Sequence, residues 1–209
     1  MPVFLDATAP DFDAAFTTLL NAKREDSPDV DATVAGIIAD VRTRGDQAVI
    51  DLTEKFDRIT LTPDTLRITQ AEITAAAAQV SAEDKTALEL AAARIRAYHE
   101  RQLPQDEQWT DDVGATLGWR WSAVSAAGLY VPGGLASYPS SVLMNAIPAK
   151  VAGVGRLAMV VPTPDGILNP LVLLAAQISG VDEIYRIGGA QAVAALAYGT
   201  DTIQPVDKI

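Results

Sequence analysis

The residues best suited to chemistry lie at two glycine-containing turns in the second half of the chain. Residues 131–134 read Val-Pro-Gly-Gly, and residues 187–191 read Ile-Gly-Gly-Ala-Gln. Glycine lets the backbone turn sharply and lets a ligand approach its amide groups. A helix that begins after such a turn presents free N–H groups and the positive end of its dipole, which suit a pyrophosphate. Neither run is the G-x-G-x-x-G fingerprint, so a plain structural turn is the alternative interpretation.

Two side chains beside these turns are candidates for ligand contact, Tyr130 and Gln191. The ring of Tyr130 packs either against a flat ligand or against the sheet. Gln191 falls in the first turn of its helix, and its amide both donates and accepts hydrogen bonds; a solvent-facing glutamine is the alternative. The remaining polar residues near the turns are interpreted as helix caps or turn residues: Ser140, Ser141, Thr163, Asp165 and Asn169.

Residues for acid–base or metal chemistry are scarce. His99 is the single histidine and cysteine is absent, so neither a Ser-His-Asp constellation nor an ordinary zinc ligand set is available. His99 falls near the end of a predicted helix, where a surface or boundary position is expected. The tight acidic pairs, Asp11 with Asp13 and Asp111 with Asp112, are typical of solvated charges. The sequence therefore predicts no catalytic residue and no metal ligand in this chain.

The second half repeats a strand-plus-helix unit. Strands are predicted at residues 128–131, 156–161 and 183–187, so their starts are separated by 28 and then 27 residues. Helices are predicted over residues 141–151, from Asn169-Pro170 to Gly180, and from Ala190 onward. Alternating units of this length build a parallel sheet covered on both faces. Right-handed crossovers then place the three loops at the carboxyl edge of the sheet, where open α/β sheets bind ligands.

The first 126 residues are predicted to be mostly helical, with a short strand at residues 66–68. Thr69 and Glu72 have the spacing of a capping box, which predicts a helix start there. Residues 116–122 alternate polar with apolar side chains, which favours a hairpin or neighbouring strands. We expect the three tryptophans to be core or sheet-face residues rather than ligand-stacking groups: Trp109, Trp119 and Trp121.

Composition narrows the class of protein. Hydrophobic residues make up 49% of the chain, and no apolar stretch is long enough for a membrane helix. The net charge of −11 disfavours nucleic acid and anionic lipid as partners. Residues 1–126 hold 12 basic and 22 acidic side chains, against 4 and 5 in residues 127–209. Either this second half tolerates an anionic ligand better, or it is simply more buried. The N-terminus has no signal-peptide pattern, so a cytoplasmic location is expected.

Several long runs, in order, resemble the histidinol dehydrogenase family. Thr43-Arg44-Gly45-Asp46 and Phe56-Asp57 match it loosely. The closer matches are GLYVPGG at residues 128–134, SSVLMNAIPAKVAGV at 140–154, VVPTPDG at 160–166 and DEIYRIGGAQAVAALAYGT at 182–200. Ordered motifs of this length are far more specific than a lone glycine pattern.

The resemblance implies an α/β fold with an incomplete Rossmann-like parallel sheet, similar to the aldehyde dehydrogenase architecture. On this basis residues 1–126 are a helical N-terminal arm and the first part of domain one, and residues 127–209 begin the NAD-binding domain. Tyr130 and Gln191 match family positions that contact NAD. The zinc ligands and the Glu-His acid–base pair of the family match no position in this sequence.

The function that the resemblance implies is NAD-dependent, zinc-assisted oxidation of L-histidinol to L-histidine through the aldehyde, the last step of histidine biosynthesis. A homodimer is expected of the full-length enzyme, and this chain alone is expected to be inactive. Two alternatives stay open: a related dehydrogenase of another alcohol, such as a sulfonated diol, and a non-catalytic nucleotide-binding or assembly module.

Overall fold

The computed structural model of the chain describes residues 4–22, 28–133 and 138–209. Two compact units are present, Met1–Gly36 and Ile37–Ile209. The first unit contains α1 (Phe12–Ala22) and the opening turns of α2 (Pro28–Arg44). The rings of Phe12 and Phe16, one helical turn apart on α1, stack with their centroids 5.5 Å apart. The expected domain boundary at residues 126 and 127 stays a prediction.

The second unit holds most of the secondary structure and the parallel sheet. Helices precede a short hairpin, and strands then alternate with helices to the end of the chain. The order is α3 (Asp46–Asp57), α4 (Pro63–Leu66), α5 (Gln70–Ala77), α6 (Ala82–Glu100), β1 (Glu107–Thr110), β2 (Thr116–Trp119), β3 (Ala126–Tyr130), α7 (Pro139–Val151), β4 (Arg156–Val160), α8 (Pro170–Ser179), β5 (Glu183–Tyr185) and α9 (Gly189–Tyr198).

The sheet of β3, β4 and β5 is parallel, in that order, with β4 in the centre. Successive side chains of a strand point to opposite faces, and β4 shows this directly. Leu157 and Met159 join an apolar cluster with helices α5 to α8. Ala158 and Val160 join a second cluster with α3 and α9. The sequence-based prediction of a parallel sheet covered by helices on both faces, after a mostly helical region, is confirmed.

Both outer edges of this sheet are partly paired. Beyond β5, the residues predicted as a short strand at 66–68 instead end α4 and then form an antiparallel bridge between Arg67 and Tyr185. The segment is therefore not the regular strand that was predicted, although its single bridge does extend the sheet. Beyond β3, Lys208 forms a parallel bridge with Ala127.

The helix starts at Thr69 and Asn169 and the helix end at Gly180 follow the predicted caps. The Thr69 hydroxyl accepts the backbone N–H of Glu72, and Asn169 Oδ1 accepts that of Leu171 at 2.9 Å. Gly180 ends α8 in the left-handed conformation, with φ of 79°. The N-cap of α7 is Tyr138, since Pro139 takes the first helical position with its preset φ, so the N-cap interpretation of Ser140 and Ser141 is wrong.

The hairpin of β1 and β2 corrects the expectation for the tryptophans. Trp109 and Trp119 lie on the same face with their ring centroids 5.3 Å apart, but they are 41% and 48% exposed, and Trp121 is 60% exposed. Trp109 and Trp119 are therefore sheet-face residues, as expected, and a core position is wrong for all three tryptophans. Every residue of both strands is exposed, because in the described part of the chain β1 and β2 pair with each other and lie outside both apolar clusters.

Candidate functional site

Three loops meet at the carboxyl edge of the parallel sheet, as the sequence predicts. The ladder continues one residue past β3 and β4, since the N–H of Val131 donates to the Val160 carbonyl and that of Val161 to the Tyr185 carbonyl, each at 3.0 Å. Pro162, in the central loop, then lies between two glycines. A Cβ added at Gly133 would overlap the Pro162 carbonyl oxygen, and one added at Gly188 would overlap the Pro162 ring. The close approach of the loops therefore requires glycine at both places.

Tyr130 and Gln191 come together at the start of α9. The backbone N–H of Gly189, the first residue of this helix, donates to the Tyr130 hydroxyl oxygen at 3.0 Å. Gly189 has a φ of 64°, and a Cβ there would lie 2.6 Å from Gln191 Oε1. The tyrosine hydroxyl and the glutamine amide thus flank the same glycine, although 61 residues separate them in the chain (191 − 130).

The burial of these two side chains differs. Tyr130 is 38% exposed, so its ring is accessible at the sheet edge. Gln191 is 2% exposed, so the alternative of a solvent-facing glutamine is wrong. Its amide has no hydrogen-bond partner among the described residues. The amide oxygen and N–H groups of Gln191 are therefore available to a ligand with complementary donors and acceptors.

The first turn of α9 offers further donors. Its first N–H is occupied by Tyr130, but the N–H groups of Ala190 and Gln191 have no acceptor in the described part of the chain. These groups and the positive end of the helix dipole favour an anion. The helix carries no acidic side chain in this turn that would compete for the position.

A pocket of about 330 Å³ adjoins the same loops through Gly133 and Pro162. Its wall is largely apolar, with contributions from the loops after β3 and β4 and from the start of α8. The lining residues are Arg58, Pro132, Gly133, Val161, Pro162, Thr163, Pro164, Asp165, Ile167, Leu168, Asn169, Val172 and Leu173. Asn169 is engaged as the cap of α8, so Arg58, Thr163 and Asp165 are the other polar side chains among the described lining residues.

Arg58 and Asp165 form a two-point ion pair at this pocket. Arg58 Nε donates to Asp165 Oδ1 and Nη2 to Oδ2, both at 2.7 Å. Both residues have left-handed backbones, with φ of 58° and 56°, and no other non-glycine residue in the described ranges has a positive φ. This conformation is strained for arginine, so the surrounding structure must hold it in place.

Asp57, next to Arg58, is a partly buried carboxyl at this site. Burial raises the pKa of Asp57 above its ordinary value, although the Thr163 backbone N–H and the charge of Arg58 act in the opposite direction. One carboxyl oxygen of Asp57 and the hydroxyl of Thr163 are buried without a hydrogen-bond partner among the described residues. The sequence does not reveal the Arg58–Asp165 pair, because 107 residues separate the two and no local pattern joins them.

The described residues at this edge include no cluster that could hold a metal ion. Among the described residues, no three His, Cys, Asp or Glu side chains are grouped so that they could hold a metal ion. His99 Nδ1 is 2.7 Å from Gln102 Oε1 near the C-terminal end of α6, within one local turn. None of the described helices is both long enough and apolar enough to cross a membrane.

The parallel sheet, its helices on both faces and the loops meeting at its carboxyl edge define a Rossmann-like α/β protein. A family model for histidinol dehydrogenase matches residues 20–209. The chain therefore belongs to the histidinol dehydrogenase family.

Individual relatives agree with this assignment. The chain is 79% identical to the histidinol dehydrogenase of Ruegeria pomeroyi and 71% identical to that of Cereibacter sphaeroides, over all 209 residues and 48% of each relative. It thus spans about half the length of the curated relatives it matches. A crystal structure of histidinol dehydrogenase from Elizabethkingia anophelis superposes with a TM-score of 0.83 at 35% identity, covering 88% of this chain and 42% of that one.

The contact of Pro162 with Gly188 gives a first prediction. We expect Gly188→Ala to lower the free energy of unfolding by about 1–3 kcal/mol, because the added methyl overlaps the Pro162 ring. Gly36→Ala is the matched control, since Gly36 lies in α2 with open space around it and alanine favours the helix by up to about 1 kcal/mol. Urea unfolding midpoints measure both, and equal midpoints for Gly188→Ala and wild type would contradict the overlap.

Asp57 gives a second prediction. Because its pKa is raised in the folded protein, its contribution to the free energy of unfolding is most favourable below its ordinary pKa and declines as pH rises through the raised value. Asparagine has no such titration, so the stability of Asp57→Asn relative to wild type should improve as pH rises through this window. Urea titrations between about pH 3 and pH 7 measure the trend.

The matched control for this titration is Asp6→Asn. The Thr8 hydroxyl and backbone N–H lower the pKa of Asp6, so the sign is opposite. Asp6→Asn should lose stability relative to wild type as pH rises through the range between the lowered and the ordinary pKa. A constant stability difference between Asp57→Asn and wild type at every pH would refute the burial of the Asp57 charge.

Proposed function

We propose that this chain supplies the NAD-binding part of an enzyme that oxidises L-histidinol to L-histidine through the aldehyde, with zinc assistance, as the last step of histidine biosynthesis. The observation that carries the proposal is the grouping of Tyr130, Gly189 and Gln191 at the carboxyl edge of the sheet. Membership of the histidinol dehydrogenase family supports the choice of reaction. L-histidinol is the proposed substrate, and a homodimer is the proposed assembly of the full-length enzyme.

The residues present fit a dinucleotide. A Cβ at Gly189 would overlap the Gln191 side chain, so glycine at this position lets the Gln191 amide lie beside the first turn of α9. The free N–H groups of Ala190 and Gln191 suit a pyrophosphate oxygen, and the Gln191 amide suits a hydroxyl or amide of the ligand. NAD, when bound, supplies the hydride acceptor for alcohol oxidation. The chain's own part is to bind and orient it.

The residues present do not fit a zinc ion. The sequence has one histidine and no cysteine, and the described carboxylates form no cluster with the spacing of ligands. The proposed zinc site and the proposed acid–base groups therefore belong to the longer enzyme. The net charge of −11 supports a small-molecule substrate over nucleic acid as partner.

Cofactor binding is tested with the Gln191→Ala variant. Loss of hydrogen bonds between neutral partners worth about 0.5–1.5 kcal/mol should weaken NAD binding roughly two- to tenfold. Gln177→Ala, on the exposed face of α8, is the matched control and should bind as wild type does. Titration calorimetry or ligand-observed NMR measures the affinity, and unchanged urea midpoints would show that the variants are folded. Equal binding by Gln191→Ala and wild type would exclude the proposed role of Gln191.

Turnover gives a separate test. The chain of 209 residues, mixed with zinc, NAD and L-histidinol, should bind no stoichiometric zinc and produce no NADH, because it lacks a ligand set and an acid–base pair. NADH absorbance and metal analysis of the dialysed protein measure the two results. NADH formation above a protein-free background would show that a complete active site lies within these residues.

A further inference from the structure

Arg186 lies between the last strand and the glycine turn at the start of α9. It follows β5 directly and precedes Ile187, Gly188 and Gly189. Its backbone N–H donates to the Leu66 carbonyl at 3.0 Å, which pairs it with the segment that lies beyond β5. Whatever holds the Arg186 side chain therefore also bears on the turn that follows.

A carboxylate on α5 binds the Arg186 side chain. Nη2 of Arg186 donates to both carboxylate oxygens of Glu72, at 2.7 and 2.9 Å. The arginine side chain is 13% exposed and that of Glu72 is 36% exposed. Nε of Arg186 is buried without a hydrogen-bond partner among the described residues. The pair with Glu72 thus offsets the cost of withdrawing this charge from water.

Glu72 is itself fixed by the start of α5. Its carboxylate also accepts the backbone N–H and the hydroxyl of Thr69, both at 2.8 Å, within the capping box. Ile73, the next residue, packs against the apolar cluster that α5 shares with α6, α7 and α8. Glu72 therefore has little freedom to follow Arg186, and the pair ties the arginine to a fixed point.

The glycine turn benefits from such a tie. Gly188 and Gly189 have no side chains that could pack against neighbouring elements, and glycine loses more conformational freedom on folding than any other residue. The hydrogen bond from the Gly189 N–H to the Tyr130 hydroxyl connects the turn to the end of β3. Arg186 connects it to α5, so two separate elements hold the turn.

We propose that the Glu72–Arg186 pair positions the Gly188–Gly189 turn, so that the Gly189 N–H meets the Tyr130 hydroxyl and the first turn of α9 is ordered for a ligand. Glu72 and Arg186 are positioning residues, because they act through the turn. The part of this inference that concerns the cofactor rests on the proposed binding of NAD at the same sheet edge.

Glu72→Gln and Arg186→Met test the pair. Glutamine keeps the capping box, which accepts Glu or Gln at this position, but it removes the charge that offsets Arg186. Amide hydrogen exchange by NMR measures the hold on Gly189, with the Gly199 N–H, bonded to the Ala195 carbonyl at the far end of α9, as internal reference.

The ratio of the Gly189 exchange rate to that of Gly199 should rise roughly three- to tenfold in both variants, because a hydrogen-bonded charge pair is lost and solvent screens part of its strength. Arg186→Lys keeps the charge and should give a smaller rise than Arg186→Met. Affinity for NAD, measured by titration calorimetry, should fall roughly two- to fivefold in Glu72→Gln and Arg186→Met, since only the ordered turn binds.

Lys150→Met is the matched control. Lys150 Nζ binds Asp182 Oδ2 at 2.7 Å just before β5, at the opposite end of the strand from Arg186. The two side chains are 22% and 43% exposed, which is comparable with the Glu72–Arg186 pair. Loss of this ion pair should leave both the exchange ratio and the NAD affinity as in wild type.

The outcomes separate this proposal from the proposed function. An unchanged ratio in Glu72→Gln and Arg186→Met, or an equal rise in Lys150→Met, overturns the positioning, while NAD binding by wild type still supports the proposed function. A raised ratio with unchanged NAD affinity overturns the effect on the cofactor. If wild type binds no NAD, the proposed cofactor site fails, whereas a raised ratio still supports the hold on the turn. Urea midpoints show whether each variant is folded, and Arg186→Lys replaces Arg186→Met if the latter is not.

Discussion

The contact that the rest of the site depends on is the insertion of Pro162 between Gly133 and Gly188. It brings the loops after three neighbouring strands within van der Waals distance of one another. Parallel strands end at the same edge by topology alone, but their loops need not touch. Here the three loops touch, because Gly133 and Gly188 have no side chains and the Pro162 residue lies between them. The Tyr130 hydroxyl then reaches the Gly189 N–H, and Gly133 and Pro162 also line the pocket that contains Arg58 and Asp165.

The fold was predictable where the pattern is local. The interval between strands, the apolar runs of β3 to β5 and the caps at Thr69 and Asn169 depend on neighbours within a few residues, and the structure agrees with them. Errors arise where tertiary packing decides. The alternation at residues 116–122 predicts a strand, but it carries no information on whether a helix covers the strand, so the exposure of Trp119 and Trp121 was missed.

The candidate site divides in the same way. Tyr130 and Gln191 are candidates because each adjoins a glycine turn that the sequence displays, and the structure brings both to Gly189, while their contact with NAD stays a prediction. The pairing of Arg58 with Asp165 was not found, since Arg58 closes α3, Asp165 lies in the loop after β4, and neither position differs in sequence from an ordinary turn. Two left-handed non-glycine residues are recognisable only from backbone angles. Strain of this kind is a property of the folded chain, so neither the amino-acid composition nor the hydrophobic periodicity of the sequence reveals it.

The Tyr130–Gly189 bond joins residues 59 apart, and the Arg58–Asp165 pair joins residues 107 apart. Neither pair is close until the strands have assembled, so the unfolded chain offers a ligand almost none of these contacts. Any molecule that binds this edge therefore binds the folded state almost alone, and mass action converts its affinity into resistance to unfolding. At a hundredfold excess over its dissociation constant the gain is about 2.7 kcal/mol, a substantial fraction of the stability of an ordinary domain. In a cell, the concentration of such a ligand would also set how much of the chain is open to proteolysis.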